Sequence, residues 1–291
     1  MKTIYLFFAL IFLSITVYSQ HDLQSSLYPD NKFLVNPANA GDKNFSPHFI
    51  LGYRYNFTGI SGSLRRPMFG FHSPVSNEMG LGGLLSREQV GVFEYYSFTG
   101  SYSYNVFLSK KNTLRLGISS GLYSRRINMS KVKVDELNDN ALQPEYFSSV
   151  YYFAGAGFEL ELHDFSFNIS LPKLYAGEDK TFIAAAVSGL AYNFNINDAF
   201  FTPSVYVHYW KNNPVRFDLN LFYKMTEKYF LLLSVKSDKS ATVGGGFNIN
   251  DLSIGYIFEL NTAFVPASGG THEVILSYSL DQLKFKRNKR F

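Results

Sequence analysis

The chain has 291 residues, a formal net charge of +4 and no cysteine, so disulfide bonds cannot contribute to its stability. Aromatic residues make up 18% of the chain and charged residues only 17%, yet the mean hydropathy is −0.06. Soluble domains carry roughly 25% charged residues, so this composition argues against an ordinary soluble domain. It is typical of strands with one apolar and one polar face. The basic tail, residues 281–291, fits a solvated tail at a membrane interface or a docking site for a periplasmic partner, and gives no indication of nucleic-acid binding.

Residues 1–19 have the features of a secretory signal peptide. Lys2 provides a positive charge at the start, residues 4–15 form an almost uninterrupted apolar run, and Ser19 ends a plausible cleavage site. A membrane-spanning helix is the alternative, but it needs about 20 apolar residues. We therefore predict that this peptide is removed on export and that the mature chain begins near Gln20.

Residues 20–47 form an N-terminal segment, periplasmic or lumenal, with turn signals at YPDN (28–31) and NPANAG (36–41). Amphipathic segments follow, with no helical pattern between them. An open sheet edge in lipid would leave backbone groups unpaired, so only a closed barrel fits. We predict an all-β fold over residues 48–280, a transmembrane antiparallel β-barrel of fourteen strands in the bacterial outer membrane. The predicted strands are residues 48–57, 65–74, 79–88, 95–107, 113–124, 148–160, 164–171, 185–195, 200–209, 215–224, 229–236, 240–249, 252–259 and 270–280.

The alternation of side chains indicates which face of each strand meets lipid. In residues 95–104, Tyr and Phe alternate with Ser and Thr, and in residues 215–223 apolar side chains alternate with Arg216, Asp218 and Asn220. A soluble half-buried sheet also alternates, but here the pattern recurs along the whole mature chain without a helix to cover the apolar face. We expect polar faces to line the lumen, including the charged pairs Arg65–Arg66, Arg216–Asp218 and Glu159–Glu161.

The connections between the predicted strands differ in length. Those expected in the periplasm are short, namely residues 75–78, 108–112, 161–163, 196–199, 225–228 and 250–251. The long connections of the opposite side are residues 125–147, 172–184 and 260–269. Fourteen strands enclose a lumen too wide for their own side chains to fill, so it must hold water, a plug or a partner. Only residues 20–47 and loop 125–147 are long enough to form a plug.

The sequence contains no recognisable catalytic or metal-binding pattern. None of its six histidines stands at metal-ligand spacing with another, and the zinc motif HExxH and the nucleophile motif GxSxG are absent. The glycine-rich runs at residues 80–85 and 244–247 do not lie between a strand and a helix, so they are weak indications of phosphate binding. We predict a protein that is not an enzyme and has no cofactor and no metal site.

Four stretches, in the same order, resemble the PorP/SprF family of outer-membrane proteins associated with type IX secretion and gliding motility in Bacteroidota. They are YPDNKFLVNPANAG at 28–41, GYRYNFTGISG at 52–62, the glycine- and tyrosine-rich block at 79–106, and GGTHEVILSYSL at 269–280. The resemblance covers nearly all of the mature chain. It implies a non-enzymatic part of a secretion or adhesin-anchoring apparatus.

The resemblance also implies partners. These are outer-membrane lipid, a secreted cargo protein or its C-terminal sorting domain, and periplasmic type IX or peptidoglycan-binding components. Such a protein would hold cargo at the cell surface or link the outer membrane to the periplasmic machinery. The alternative function is a porin-like or fatty-acid-channel-like transport barrel for small solutes. An outer-membrane enzyme is a third class, which the absence of any nucleophile arrangement disfavours.

Two sets of residues are candidates for partner contact. The family motif supplies Asn36, Pro37, Ala38, Ala40 and Gly41. Their alternative role is a structural turn at which the barrel begins. The long loop supplies Arg125, Arg126, Lys131 and Lys133. This loop is either a solvated surface loop, or a lid or docking surface.

Overall fold

The computed structural model describes residues 25–41, 46–128, 148–178, 180–196, 199–225, 228–261 and 268–280. It is all-β, with two short 3-10 turns at Lys32–Leu34 and Pro37–Asn39. The strands are β1 (His48–Tyr55), β2 (Arg65–Pro74), β3 (Met79–Val90), β4 (Phe93–Phe107), β5 (Asn112–Ile127), β6 (Ser148–Leu162), β7 (Phe165–Ala176), β8 (Thr181–Tyr192), β9 (Phe194–Ile196), β10 (Ala199–Trp210), β11 (Arg216–Met225), β12 (Tyr229–Lys236), β13 (Ser240–Ile249), β14 (Leu252–Asn261) and β15 (Thr271–Ser279). Within these ranges, no helix is long and apolar enough to cross a membrane.

The strands form one closed antiparallel sheet. Strands that follow one another in the chain pair around the ring, and β1 pairs with β15 to close it. β8 and β9 both pair with β10 and are separated only by Asn193, so together they form a single strand of the barrel. The predicted fourteen-stranded antiparallel barrel is therefore confirmed.

The outer face of the barrel is apolar and much of its inner face is polar. In β4, Phe98, Tyr102 and Tyr104 point outward and are exposed, whereas Ser101 and Ser103 point inward and are buried. The alternating burial of β11 and β12 follows the same rule. Exposed apolar surface is unfavourable in water by about 25 cal/mol per Å², and acyl chains solvate it without that cost.

The two ends of the barrel have different connections. At one end, called here the turn end, they are short, namely residues 75–78, 108–111, 163–164, 197–198, 226–228 and 250–251. The opposite end, called the loop end, carries the longer connections 56–64, 128–147 and 262–270. The predicted long connection over residues 172–184 is wrong, because β7 continues to Ala176 and β8 begins at Thr181. Register irregularities between Ser170 and Tyr175 let the pairing continue where the simple alternation is lost.

Residues 25–41, called here the lumenal segment, lie inside the ring. Ser26 contacts Glu273 of β15 near the loop end, and Gly41 contacts His72 of β2 near the turn end. The segment therefore crosses the barrel from one end to the other before the chain enters β1. Most of its side chains are buried, so it fills space that strand side chains alone cannot fill.

The lumenal segment packs on an apolar sector of the inner wall. Leu27 and Phe33 of the segment lie in one buried cluster with wall residues of β1, β11, β12, β14 and β15, namely Ile50, Phe222, Phe230, Leu232, Ile257 and Ile275. The expectation of a polar inner face is wrong for this sector. These wall side chains meet protein and not water, and burying each large one contributes about 1.5–3 kcal/mol.

Candidate functional site: the filled lumen and its vestibule

A cluster of charged side chains holds the start of the lumenal segment at the loop end. Arg54 lies between two carboxylates, with Nη1 donating to Glu273 Oε2 at 2.9 Å and Nη2 donating to Glu259 Oε2 at 3.2 Å. Lys236 also donates to Glu259. Ser26 joins the cluster through its backbone N–H, 2.9 Å from Glu273 Oε2, and its hydroxyl, 3.0 Å from Glu259 Oε2. Removing one partner of a buried ion pair costs about 3–5 kcal/mol, because the other charge stays buried.

The phenol of Tyr28 is a second anchor. Its hydroxyl donates to Asp218 Oδ2 at 3.0 Å and accepts from Asn220 Nδ2 at 3.0 Å. Arg216 holds the same carboxylate, with Nε 2.8 Å from Oδ1. The ring packs edge-on against Tyr206, with centroids 4.7 Å apart.

Lys32 anchors the middle of the segment on the opposite wall. Its ammonium pairs with Glu159, which is fully buried, and lies 3.8 Å from Glu161 Oε1. Glu159 also accepts from Asn39 Nδ2 at 2.6 Å, and Glu161 pairs with Arg115 at 2.8 Å. Two carboxylates beside an ammonium favour its charged form, so the lysine is charged inside the lumen.

The family motif at residues 36–41 forms a tight turn in the lumen. Asn36 caps it, with Oδ1 accepting from the Ala38 N–H at 3.0 Å and Nδ2 donating to Phe158 O of β6 at 3.1 Å. Pro37 occupies the first position of the 3-10 turn, where its missing N–H leaves no donor unsatisfied. The motif therefore has a fixed shape and a direct bond to the barrel wall.

Glycines in the barrel wall make room for this turn. A Cβ built at Gly157 would lie 2.0 Å from Asn36 Oδ1, and one at Gly117 would lie 2.2 Å from the backbone nitrogen of Ala38. Gly80 stands equally close to the end of the motif. A glycine inside a strand often marks the close approach of another backbone, and here it lets the motif rest directly on β3, β5 and β6.

Wall side chains also bind the backbone of the lumenal segment. Ser170 Oγ donates to Val35 O at 2.6 Å, and Ser103 Oγ donates to Ala40 O at 2.6 Å. Gly41 ends the motif with φ of +72°, a left-handed conformation that glycine adopts without a steric penalty. The segment is thus held along its length through both its side chains and its backbone.

A cavity of about 450 Å³, called here the vestibule, lies at the loop end. Its walls combine aromatic and charged side chains, and the rings of Tyr95 and Tyr123 stack with centroids 5.7 Å apart. Lys173 Nζ lies 5.4 Å from the Tyr123 centroid. Besides these, the lining includes Glu88, Arg125, Tyr151, Phe153, Trp210 and Lys211. Such a surface offers large rigid rings for apolar contact and charged groups for orientation.

The lumenal segment lies below the vestibule. A smaller adjoining cavity of about 190 Å³ is lined by Val35 and Pro37 of the segment and shares Tyr123 and Lys173 with the vestibule. A ligand that enters from the loop end therefore meets the lumenal segment before it can reach the turn end. The filled lumen and the vestibule form one candidate site.

The predicted contact residues occupy different places. Five lie in the lumen, namely Asn36, Pro37, Ala38, Ala40 and Gly41. Arg125 lines the vestibule and pairs with Glu178 at 3.3 Å. Arg126 lies on the outer wall, 5.5 Å from the centroid of Tyr96. Partner contact by any of them stays a prediction. The other two candidates, Lys131 and Lys133, lie outside the described residues. The predicted signal peptide and the basic tail lie outside them as well.

The charged pairs predicted for the inner wall are mostly placed there. Asp218 and Glu159 face the lumen with their partners, as described above. Arg66 also faces inward and pairs with Glu88. Arg65 faces outward instead, because successive residues of a strand point to opposite faces. The sequence pattern missed the anchors of the lumenal segment, namely Ser26, Tyr28, Lys32 and Asn39.

The charged groups of the lumen in the described residues form ion pairs. In the part of the chain that the structure describes, no group of three or more His, Asp or Glu side chains could hold a metal ion. Each carboxylate in the contacts above faces a cation or a hydrogen-bond donor. The arrangement is suited to anchoring a segment of chain.

Solved structures with a similar fold are membrane channels. A deltaS2S3 mutant of the TodX monoaromatic hydrocarbon channel matches with a TM-score of 0.55 at 10% identity, over 88% of this chain and 94% of that chain. A deltaS2 mutant of the same channel gives a TM-score of 0.51 at 10% identity, over 84% and 92%. At this identity the likeness shows the fold alone. None of the curated protein sequences compared with the chain matches it.

A family model matches residues 17–278, which include the whole lumenal segment and nearly the whole barrel. It is the model of the type IX secretion system membrane protein PorP/SprF. It describes a membrane protein of a secretion system. The resemblance found in the sequence motifs is therefore confirmed, and the chain belongs to the PorP/SprF family of type IX secretion system membrane proteins.

Proposed function

We propose that this protein is a non-enzymatic outer-membrane barrel that docks secreted cargo, such as an adhesin or its C-terminal sorting domain, at the cell surface for the type IX secretion and gliding machinery. In this proposal the loop end faces outward, because outer-membrane barrels have short periplasmic turns and longer outer loops. The observation that carries the proposal is the filled lumen. A barrel occupied by its own chain is suited to present a fixed surface to a protein.

The vestibule is the proposed docking surface. Its aromatic rings and charged groups are the residue types that dominate protein–protein contacts. Its floor is the lumenal segment, which several buried ion pairs and hydrogen bonds hold in one position. A segment of the cargo can enter the vestibule and stop there. Links to periplasmic type IX or peptidoglycan-binding components would use the turn end and the basic tail.

The alternative is a porin-like or fatty-acid-channel-like barrel for small solutes. One observation favours it, namely the likeness of the fold to a hydrocarbon channel. For a solute to pass, the lumenal segment would have to detach from the inner wall of the barrel. Its bonds to charged groups, at Ser26, Tyr28 and Lys32, would then break together, and each is worth about 1.5–3 kcal/mol.

Conductance in planar bilayers distinguishes the two functions. The docking proposal expects the wild-type barrel to be nearly non-conducting. A variant that lacks residues 25–41 should conduct, provided that it still shows the heat-modifiable gel mobility of a folded barrel. A wild-type protein that conducts as well as this variant would favour the transport alternative. If the deletion variant does not fold, cross-linking the segment to the wall through Cys pairs at Ser170 and Val35 should leave wild-type conductance unchanged.

Cargo docking is tested with vestibule variants in cells. Deleting the gene should abolish surface display of at least one secreted protein. Trp210→Ala together with Tyr123→Ala should reduce cargo retention at least about thirtyfold, because aromatic contacts at such sites are worth about 1 kcal/mol or more each. Tyr102→Ala is the matched control, since this tyrosine faces lipid. Intact export and gliding in the deletion strain, with no cargo recovered on the purified barrel, would refute the proposal.

A further inference from the structure

One sector of the lipid-facing wall carries charge. Among the Asp, Glu, Lys and Arg side chains of the described strands, only four face away from the lumen, namely Arg65, Arg87, Glu94 and Arg126. All four lie at the loop end of β2, β3, β4 and β5. The remaining strands carry no charge on the outer face within the described residues. A belt of interfacial charges would be spread around the barrel, so this clustering requires another reason.

The strand register brings these residues together. Arg65 pairs across to Gln89, Gln89 to Glu94, and Glu94 to Arg126, so three of the charged residues and Gln89 form one row across four strands. Arg87 lies one step closer to the middle of the barrel on the same face. A lipid-facing charge costs about 2–4 kcal/mol at the bilayer midplane and about 0–1 kcal/mol near the interface. The row therefore lies where the headgroups of one leaflet begin.

Contacts hold two of the arginines in position. The guanidiniums of Arg87 and Arg126 lie 5.6 and 5.5 Å from the centroid of the same ring, that of Tyr96. Arg87 Nη2 donates to Glu94 Oε1 at 2.9 Å, and the Tyr96 hydroxyl donates to Glu94 Oε2 at 3.0 Å. The four charged residues, called here the patch, carry a net positive charge, because there are three arginines and one carboxylate. The guanidiniums of Arg87 and Arg126 are held in place by these contacts and are still partly exposed.

An apolar groove of about 570 Å³ adjoins the patch on the side toward the middle of the barrel. Arg87 lies at its rim. The pairing of β2 with β3 is interrupted at Arg66 and Pro67, and proline has no N–H to donate to the ladder. The groove follows this interruption, and the apolar residues that line it include Leu51, Phe69, Leu85, Phe98 and Leu122.

We propose that the patch and the groove bind a phosphorylated acyl lipid of the leaflet at the loop end. The phosphate contacts Arg87 and Arg126, whose planar forks match its oxygens, and an acyl chain occupies the groove. The groove opens on the lipid-facing wall, so a lipid is the occupant that reaches it, and the positive charge selects an anionic headgroup. The inference rests on the outer-membrane placement of the proposed function but not on cargo docking.

Native mass spectrometry of the detergent-solubilised barrel tests this site. The probes are lipid A, which carries two phosphates and several acyl chains, lipid A without its phosphates, and inorganic phosphate. We expect lipid A to bind at least tenfold more tightly than either of the other probes. Arg87→Gln with Arg126→Gln should weaken lipid A binding about thirtyfold, or about fivefold for each arginine. Arg125→Gln is the matched control, because this neighbour of Arg126 lines the vestibule, and it should leave lipid binding unchanged.

Three results would overturn the site. The first is that lipid A without its phosphates binds as tightly as lipid A, and the second is that the double variant binds lipid A as tightly as the wild type. The third is that the two arginines are needed to retain a co-purified protein but not to bind lipid. If the double variant does not fold, Arg87→Gln and Arg126→Gln, each measured alone, test the same site with an expected loss of about fivefold for each. Because the measurement uses lipid and not cargo, a failure here leaves the docking proposal standing, and the reverse also holds.

Discussion

Replacing Gly117 with alanine tests whether the family motif rests on the barrel wall. The new Cβ would lie 2.2 Å from the backbone nitrogen of Ala38 and 2.4 Å from the carbonyl carbon of Pro37. Ordinary van der Waals contact begins near 3.4 Å, so the turn must retreat by about 1 Å. The strand itself cannot yield easily, because β5 pairs along its length with β4 and β6. Overpacking of this kind costs about 1–3 kcal/mol, which is roughly a five- to 150-fold rise in the population of the displaced turn.

Hydrogen exchange measured by mass spectrometry in detergent reports that population. In Gly117→Ala, amide exchange over residues 32–41 should accelerate by about five- to 150-fold, while the barrel strands keep their protection. Gly100→Ala is the matched control, because it is also a strand glycine and the nearest atom to its new Cβ, Ser120 O, is 3.9 Å away. The control should exchange like the wild type over the same residues.

Unchanged exchange over residues 32–41 in a folded Gly117→Ala barrel would refute the seating of the motif on β5. The filled lumen would then no longer support a docking function. If the Gly117→Ala barrel does not fold, Gly157→Ala provides a gentler probe. Its Cβ would meet the side-chain oxygen of Asn36 at 2.0 Å, and a side chain can move more easily than a backbone.

Three further substitutions test the anchors and the lipid-facing wall. Lys32→Met should destabilise the bound lumenal segment by about 3–5 kcal/mol, because Glu159 stays buried without its cation. Hydrogen exchange measures this loss, and the double variant Lys32→Met with Glu159→Gln should recover part of it. Additive effects of the two substitutions would contradict the pairing. Tyr28→Phe should destabilise the bound lumenal segment by about 1–3 kcal/mol in the same measurement, since Asp218 loses a buried donor. A loss below about 0.5 kcal/mol would contradict the hydrogen bond from Tyr28 to Asp218. Ile118→Arg, at a lipid-facing position in the middle of β5, should lower the free energy of unfolding in liposomes by about 2–4 kcal/mol, with Ile118→Leu near neutral as its control.

The barrel could be predicted because its signal is local and repeated. In a strand the side chains alternate with a period of two, so a few residues suffice to indicate a lipid-facing side. Phe98, Tyr102 and Tyr104 show this pattern, and they face outward in the structure. Where the alternation is broken, the prediction failed. Irregular pairing of β7 with β8 shifts the pattern near Lys173, so the ends of both strands resembled a loop.

The filled lumen could be foreseen only in part. The width of a fourteen-stranded barrel and the length of residues 20–47 indicate that a plug is possible. Its contacts, however, join residues far apart in the chain, such as Lys32 with Glu159 and Ser26 with Glu273. No local pattern connects such pairs, and glycines such as Gly117 and Gly157 are marked only once the opposing backbone is in place.

The anchors of the lumenal segment specify its position more than its stability. Ser26 is bound to β14 and β15, and Lys32 is bound to β6 on the far side of the ring. Buried ion pairs gain little net stability over apolar packing, because desolvation offsets their attraction. An apolar segment would fill the same space, but it could shift by one residue along the lumen with little loss of packing free energy. Two anchors bound to charged groups on opposite walls allow one register only, so the floor of the vestibule has a constant shape. A docking surface needs this constancy, whereas a solute channel gains nothing from it.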